Sequence, residues 1–172
     1  GKKVSIYSLY LYAAAKALKT FSGINGYFAD NTHYVYRDIN IGIALAHERD
    51  LFVPVVKMVD KKSIEEIDRD VRWLTAKAQN GKLEPEDITG GTFTISNLGV
   101  YPVDEFSAII SPGQAGILAV GRAGKQLAVD DHDRMQVRQA VTVTGSFDHR
   151  IVNGAEGAAF LEKMKGILEK EM

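Results

Sequence analysis

The 172-residue sequence contains no cysteine, which excludes disulfides, a thiolate nucleophile and thiolate metal ligation together. That absence fits a reducing compartment. No apolar stretch approaches the roughly 20 residues that cross a bilayer as a helix, so a membrane protein is not expected. An excess of one charge is missing too. The 21 Lys and Arg residues face 22 Asp and Glu, a net charge of -1, and no long basic run supplies the electrostatic footprint of a nucleic-acid binder. Proline is scarce, with four residues in all, and no linker, repeat or low-complexity tract divides the chain. What remains is a 45% hydrophobic content, enough apolar surface for one compact domain of this length.

The opening "GKKVSIYSLYLYAAAKAL" superficially imitates a signal peptide. Its apolar residues Ile6, Leu9, Tyr10, Ala13, Ala14, Ala17 and Phe21 nevertheless keep the one-sided spacing of an amphipathic helix, which Gly23 and Gly26 end. "YVYRDINIGIALAHE" and "LFVPVVKMV" are rich in β-branched and aromatic residues and read as strands joined by a hairpin at "HERD". Pro54 suits an edge or a strand start. Ser63 and Glu66 have capping-box spacing, and Ile64, Ile67, Val71, Leu74 and Ala78 share a helix face closed by Asn80 and Gly81. Beyond the turn-rich "EPEDITGG", the run "TFTIS" points Phe93 and Ile95 one way and Thr94 and Ser96 the other, which puts Ser96 at a strand end. Strands are expected at "FSAII" and "AGILAVG", around a Ser-Pro-Gly turn. The longest strand is expected from Arg138 to Phe147, with Val141, Val143, Gly145 and Phe147 on one face. A last helix carries Phe160, Met164, Ile167 and Leu168 on one side. Helices and strands in this order, without strict alternation, predict an α/β fold: a two-layer sandwich with helices packed on a mixed sheet.

Several motifs invite chemistry. "GRAGKQ" lacks the upstream glycine and the following Ser or Thr of a phosphate loop and reads as a hairpin turn. "DDHD", Asp130 to Asp133, lacks calcium-loop spacing and reads as a solvated turn. His33 and His47 stand alone near turns and read as surface histidines. No metal site is expected. His149 differs by position, since it follows a half-buried strand and precedes a helix, where a rigid frame can present a side chain to a crevice. Imidazole, with a reference pKa near ~6.5, can accept a proton near neutrality. Asn153 follows four residues later, either as part of that site or simply as the cap of the last helix.

"DHRIVNGAEGAAFL" closely resembles the His-x-x-x-Asp-Gly signature of the dihydrolipoamide acyltransferases, the E2 components of 2-oxo acid dehydrogenase complexes, and of their chloramphenicol acetyltransferase-like relatives. "DINIGIALAHERDLFVPVV", "KLEPEDITGGTFTISNLGVY" and "FSAIISPGQAGILAVG" resemble the same catalytic domain in the same order, so the whole of 1-172 is covered as one acyltransferase catalytic domain. The resemblance implies acyl transfer between a lipoyl dihydrolipoamide thiol and coenzyme A. It makes His149 the general base, Ser96 the donor to the tetrahedral oxyanion, and Asn153 a third site residue that positions the loop. Coenzyme A enters as a substrate, the lipoyl group is carried on a domain this chain does not contain, and no metal takes part.

The resemblance also implies a homotrimer, the building block of larger cages in the family, in which the histidine of one chain faces the serine of the next. Its partners are the decarboxylase (E1) and dihydrolipoamide dehydrogenase (E3) components, in bacterial cytoplasm or the mitochondrial matrix. Acetyl is favoured as the acyl group from "NLGVYPVDEFSAIISPGQAGILAVG". Three departures stand against the pattern. Asn153 replaces the signature's aspartate and cannot supply a negative charge. The chain is expected to be truncated at its N-terminus, without the lipoyl and peripheral-subunit-binding domains. "GILEKEM" also lacks the hydrophobic tail that joins trimers into cages. These departures motivate an alternative, a non-catalytic core or scaffold subunit with the same fold. A third reading is transfer to a free small acceptor.

Overall fold

Alternating apolar residues in the middle of the chain build one mixed sheet, and the three long helical periodicities lie across a single face of it. The computed structural model describes residues 4–47 and 50–170. In chain order these form α1 (Ile6–Thr20), a 3-10 turn (Ser22–Ile24), β1 (Gly26–Ala29), β2 (Thr32–Val35), β3 (Ile41–His47), β4 (Asp50–Phe52), β5 (Val55–Val56) and a second 3-10 turn (Val59–Lys61). They continue with α2 (Ile64–Gln79), the one-turn α3 (Pro85–Ile88), β6 (Phe93–Asn97), β7 (Gly116–Val120), β8 (Gly124–Val129), β9 (Met135–Ala140), β10 (Val143–Phe147) and α4 (Gly154–Lys170). The architecture is the expected α/β sandwich of helices on a mixed sheet.

The main sheet runs in the order β10-β7-β6-β3-β4, with β5 also on β3. Its centre is parallel, β3 to β6 to β7, while β10 and the β4 and β5 edge are antiparallel to their neighbours. Leu45 pairs with Phe52 and Gly42 with Val55, so β4 and β5 keep a common register and form one edge strand interrupted at Pro54. The Pro54 carbonyl still accepts from Ile43 N–H at 2.8 Å, but a proline has no N–H to continue the ladder.

Ile41, Ile43, Phe93, Ile95, Leu118 and Val120 face the helices and are buried. Phe160 of α4 sits among three rings, with centroids 5.8 Å from Phe93, 5.8 Å from Phe147 and 6.3 Å from Phe21. The Phe147 ring occupies space that side chains would otherwise fill: a Cβ on Gly145 would come within 2.5 Å of it, and one on Gly116 within 2.8 Å. Close approach of this ring thus requires glycine at both positions. Helix α1 buries a wide arc, Tyr10, Leu11, Ala13, Ala14, Ala15, Ala17 and Leu18, because it touches α2, α4 and the sheet together. Ile6, expected on the buried face, is instead exposed, since the first turn projects beyond these neighbours.

Three further expectations are corrected. The strand expected from Arg138 to Phe147 divides at Val141 and Thr142: β9 pairs with β8 in a separate hairpin, and only β10 joins the main sheet. "FSAII" alternates between half-buried and exposed residues as a strand would, but it forms no ladder. "GRAGKQ" connects the main sheet to β8 rather than turning a hairpin; the turn between β8 and β9 is "DDHD". In the "HERD" connection, His47 pairs with Asp50 as expected, while Glu48 and Arg49 lie outside the described residues. The β1–β2 hairpin was not foreseen. It turns on Asp30 and Asn31, both at positive φ, the conformation that matches strand twist and that these residue types tolerate.

The helix layer is tied together by one buried carboxylate. Asp68 on α2 accepts from Ser5 N–H at 2.8 Å, Ser8 Oγ at 2.9 Å and Arg72 Nε at 2.6 Å, which holds the start of α1 to α2. Burial, the largest single influence on this group, acts to raise its pKa. The hydrogen bonds from Arg72, Ser5 and Ser8 together outweigh it and hold the carboxyl well below the usual 3.8. A depressed folded-state pKa contributes stability above the unfolded value, and that stability is lost as pH falls below it. Asp68→Ala should therefore lower Tm clearly at pH 7, by the several degrees that about 2 kcal/mol represents. Thermal melts of the two proteins should converge as pH drops below 3.8; a constant gap would contradict this origin.

Candidate active site

Ser96 stands near the C-terminal end of β6, half-buried on the sheet face away from the helices. Its neighbours across the sheet are Ala44 on β3, Ala119 on β7 and, beyond it, Thr144 on β10. This row of small side chains flanks the serine hydroxyl, which forms no hydrogen bond among the described residues. One step below, Thr94 Oγ1 donates to Gln114 Oε1 at 2.7 Å, which places the start of β7 against the same face. At the serine's end, Val103 O accepts from Arg122 N–H at 2.8 Å and Val120 O from Leu98 N–H at 3.0 Å. The long connection from β6 to β7 is thus fastened at both ends over this face.

His149 lies at the other end of the sheet. β10 is antiparallel to β7, so its last residue, Phe147, pairs with Gly116, the first residue of β7. From the level of Thr144, which shares the serine's row, three strand residues and two strand spacings amount to about 14 Å, before the turn to His149 is counted. Within one chain the serine and histidine are therefore too far apart to act on one reacting atom, which requires separations near about 3 Å. A groove of about 830 Å³ between β8, β9 and α4, lined by Leu127, Val141, Leu161 and Leu168 among others, contains neither residue.

The turn presenting His149 is firmly built. Asp148 N–H donates to Ala115 O at 2.8 Å, and Asp148 O accepts from Ile151 and Val152 N–H at 3.0 and 2.9 Å. Its carboxylate receives Arg150 Nε at 2.9 Å and Nη2 at 2.6 Å. Those Arg150 hydrogen bonds hold the Asp148 carboxyl below the usual carboxylate range. The Arg150 guanidinium lies 4.7 Å from the centroid of Phe28 on β1, so the β1–β2 hairpin backs the turn, and a cation over a ring adds modest attraction. His149 projects from this frame, exposed. Residues 148 to 150 were visible in the motif; their support by Phe28 was not, because no local pattern connects residues so far apart in sequence.

Asn153 caps α4: its Oδ1 accepts from Glu156 N–H at 2.9 Å. Replacing an asparagine N-cap by alanine costs about 1 kcal/mol. Asn153→Ala should accordingly show that loss in urea unfolding, while turnover falls far less than in a His149 variant. An equal loss of turnover in a well-folded protein would give Asn153 a direct part in the chemistry.

The remaining candidates have structural settings. His33 is exposed on β2, with Nε2 2.9 Å from Gly23 O; the side chain of His47 lies outside what the structure describes. Asp130 in the β8–β9 turn accepts from His132 and Arg134 N–H, at 2.9 and 3.0 Å, and from the Arg134 and Gln136 side chains. Among the described residues no cluster of three or more His, Asp or Glu is placed to hold a metal ion, and no helix is long and apolar enough to cross a membrane.

A family model described as 2-oxoacid dehydrogenases acyltransferase (catalytic domain) matches residues 1–172. The chain is 42% identical over 171 residues to an Arabidopsis thaliana protein, dihydrolipoyllysine-residue acetyltransferase component 2 of the mitochondrial pyruvate dehydrogenase complex, covering 98% of this chain and 32% of that one. It is 35% identical over 170 residues to the corresponding component of Zymomonas mobilis, covering 99% and 38%. The chain thus spans about a third of the length of these curated relatives. Among solved structures, a probable dihydrolipoamide acetyltransferase from Listeria monocytogenes superposes with a TM-score of 0.93 at 38% identity, over 97% of this chain and 71% of that one. The cubic core of a pyruvate dehydrogenase multienzyme complex, and the Azotobacter vinelandii dihydrolipoamide acetyltransferase studied for the catalytic roles of a serine, a histidine and an asparagine, each give 0.93 at 31%, over 99% and 71%. Chloramphenicol acetyltransferase, at 15% identity and a TM-score of 0.59, over 96% and 78%, shares the fold.

Proposed function

The chain belongs to the acyltransferase catalytic domains of the 2-oxoacid dehydrogenases, and from that premise we propose that it moves an acetyl group between a dihydrolipoamide thiol and coenzyme A. The site is assembled from Ser96 of one copy and His149 of another. The observation that carries this reading is the separation of the two residues to opposite ends of one sheet: neither end alone holds both a base and an oxyanion donor, and two copies placed end to end supply both. The Azotobacter enzyme, with its serine, histidine and asparagine, supports the assignment of roles, and its histidine and asparagine stand four positions apart, as His149 and Asn153 do.

In the direction that forms acetyl-CoA, the coenzyme A thiol attacks the acetyl carbonyl as His149 takes the S–H proton, because a thiol of pKa about 8.5 is mostly protonated at pH 7 and only the thiolate is a good nucleophile. The carbonyl oxygen gains negative charge and accepts the Ser96 hydroxyl hydrogen bond. Collapse of the tetrahedral species expels the dihydrolipoamide sulfur, which receives the proton back from His149. The base ends as it began. The cubic core among the similar structures supports an oligomer, for which a homotrimer gives each site its two halves, with the decarboxylase and dihydrolipoamide dehydrogenase as further partners. Relatives from a mitochondrion and from a bacterium fit either the matrix or the bacterial cytoplasm.

The acyl group is tested by offering the assembled oligomer acetyl-, succinyl- and isobutyryl-CoA with dihydrolipoamide and measuring thioester formation. Acetyl should be transferred fastest, by at least about tenfold in kcat/KM, since a pocket shaped for a methyl group rejects added bulk. Failure to transfer any of the three would favour the scaffold role.

A further inference from the structure

We infer that Tyr7 is a positioning residue for Ser96: from the helix layer, its phenolic hydroxyl clamps the rung between β3 and β6 on which the serine depends. The inference rests on the acetyl-transfer reading above. Tyr7 lies on α1 one turn before the buried Tyr10 and Leu11, and its hydroxyl donates to Ile95 O at 2.7 Å. The backbone of Ala44 lies against the same hydroxyl and acts to lower its pKa. Ala44 is the register partner of Ser96, and Ile95 is the residue immediately before it.

Strand geometry explains why one hydroxyl reaches both groups. Ile43 spends its N–H on Pro54 O, on the outer side of β3. Successive residues of a strand point their backbone groups to opposite sides, so the Ala44 amide turns inward to β6. There it faces the carbonyl of Ile95, its partner in a parallel ladder. Tyr7 thus closes the rung at the level of the serine, close to the end of β6. It approaches from the helix side, whereas the Ser96 side chain projects from the opposite face. Tyr7 therefore touches no substrate and acts through the backbone. Burial pushes its pKa far above the ordinary value, which keeps the hydroxyl protonated and able to donate. An oxyanion donor works only when held within about 0.5 Å of its productive position, and Ser96 sits where a ladder has few rungs left to hold it.

The test is a double-mutant cycle on the assembled oligomer, measuring acetyl transfer from acetyl-CoA to dihydrolipoamide, joined to deuterium exchange of the segment 41–47. Tyr7→Phe removes one hydroxyl and keeps the ring in the core. It should lower kcat by about fivefold to tenfold, the worth of one neutral hydrogen bond, with KM for acetyl-CoA unchanged. In the Ser96→Ala background the same substitution should cost less than about twofold, because the donor it positions is gone. Exchange in 41–47 should accelerate. An equal loss in both backgrounds, or unchanged exchange, would overturn the inference and leave Tyr7 as ordinary packing. Should the wild-type oligomer transfer no acetyl group, the functional reading fails separately, and the exchange measurement alone decides whether Tyr7 holds the rung.

Discussion

His149→Ala should reduce kcat for acetyl transfer by about a hundredfold to ten-thousandfold, the range lost when a general base is removed, while KM for acetyl-CoA stays nearly constant. His149 is exposed and forms no hydrogen bond among the described residues. Its turn is held instead by Asp148, Arg150 and the backbone contacts to Ala115, Ile151 and Val152. The substitution should therefore leave Tm within about a degree of wild type, as expected for a surface change that disturbs no cap or core contact. This pairing of a large kinetic loss with an unchanged melt separates chemistry from folding. The residual rate should rise with pH as more of the thiol becomes thiolate without help. Retained wild-type turnover in His149→Ala would remove the histidine from the mechanism. Arg150→Ala offers a useful contrast. It removes the guanidinium's hydrogen bonds to the carboxylate and the contact with Phe28, while the backbone N–H of residue 150 still donates to Asp148 Oδ1, so it should lower turnover through a loosened turn, less severely than loss of the imidazole.

How much of this could be read from the residues depended on whether the controlling interaction was local. The strand-to-helix junction at His149 and the strand end at Ser96 were legible because apolar alternation and helical periodicity are local signals. The capping box at Ser63 and Glu66 was read correctly for the same reason: both halves lie within one turn, with Ser63 N–H donating to Glu66 Oε2 at 2.8 Å. Asn153 was ambiguous between site and cap, and its bond to Glu156 N–H now gives it a structural task whatever else it does. The division of the strand expected from Arg138 to Phe147 was not legible, since the alternation continues through Val141 and Thr142 and a period of two carries no information about which sheet a strand joins. Phe106 to Ile110 shows the converse, an alternating segment that rests on the protein without a ladder partner. Tyr7 could not have been singled out: on α1 it looks like one more apolar ring, and only the register of β3 with β6 shows what its hydroxyl meets. The separation of Ser96 from His149 likewise follows from the antiparallel direction of β10, a property of the sheet and not of either motif.

That separation leads to the second large effect. Neither Ser96→Ala, expected to lose about a hundredfold to thousandfold in kcat, nor His149→Ala should function alone, yet oligomers assembled from a mixture of the two should recover activity. A site is intact only where an adjoining pair contributes His149 from a Ser96→Ala chain and Ser96 from a His149→Ala chain. In a closed ring of identical, head-to-tail interfaces each site draws its two halves from different neighbours. Random assembly of equal amounts makes each half intact with probability one half, so about a quarter of wild-type activity should return. Recovery far above both parents requires shared sites, because an active site contained in one chain would leave every chain of the mixture with a lesion. The measurement needs refolding or co-expression so that chains mix, and native mass spectrometry to verify mixed oligomers. If mixing is verified and activity stays at the level of the single variants, the two ends do not meet between copies, and the 14 Å or so that the register places between them would have to be closed by a rearrangement within each chain.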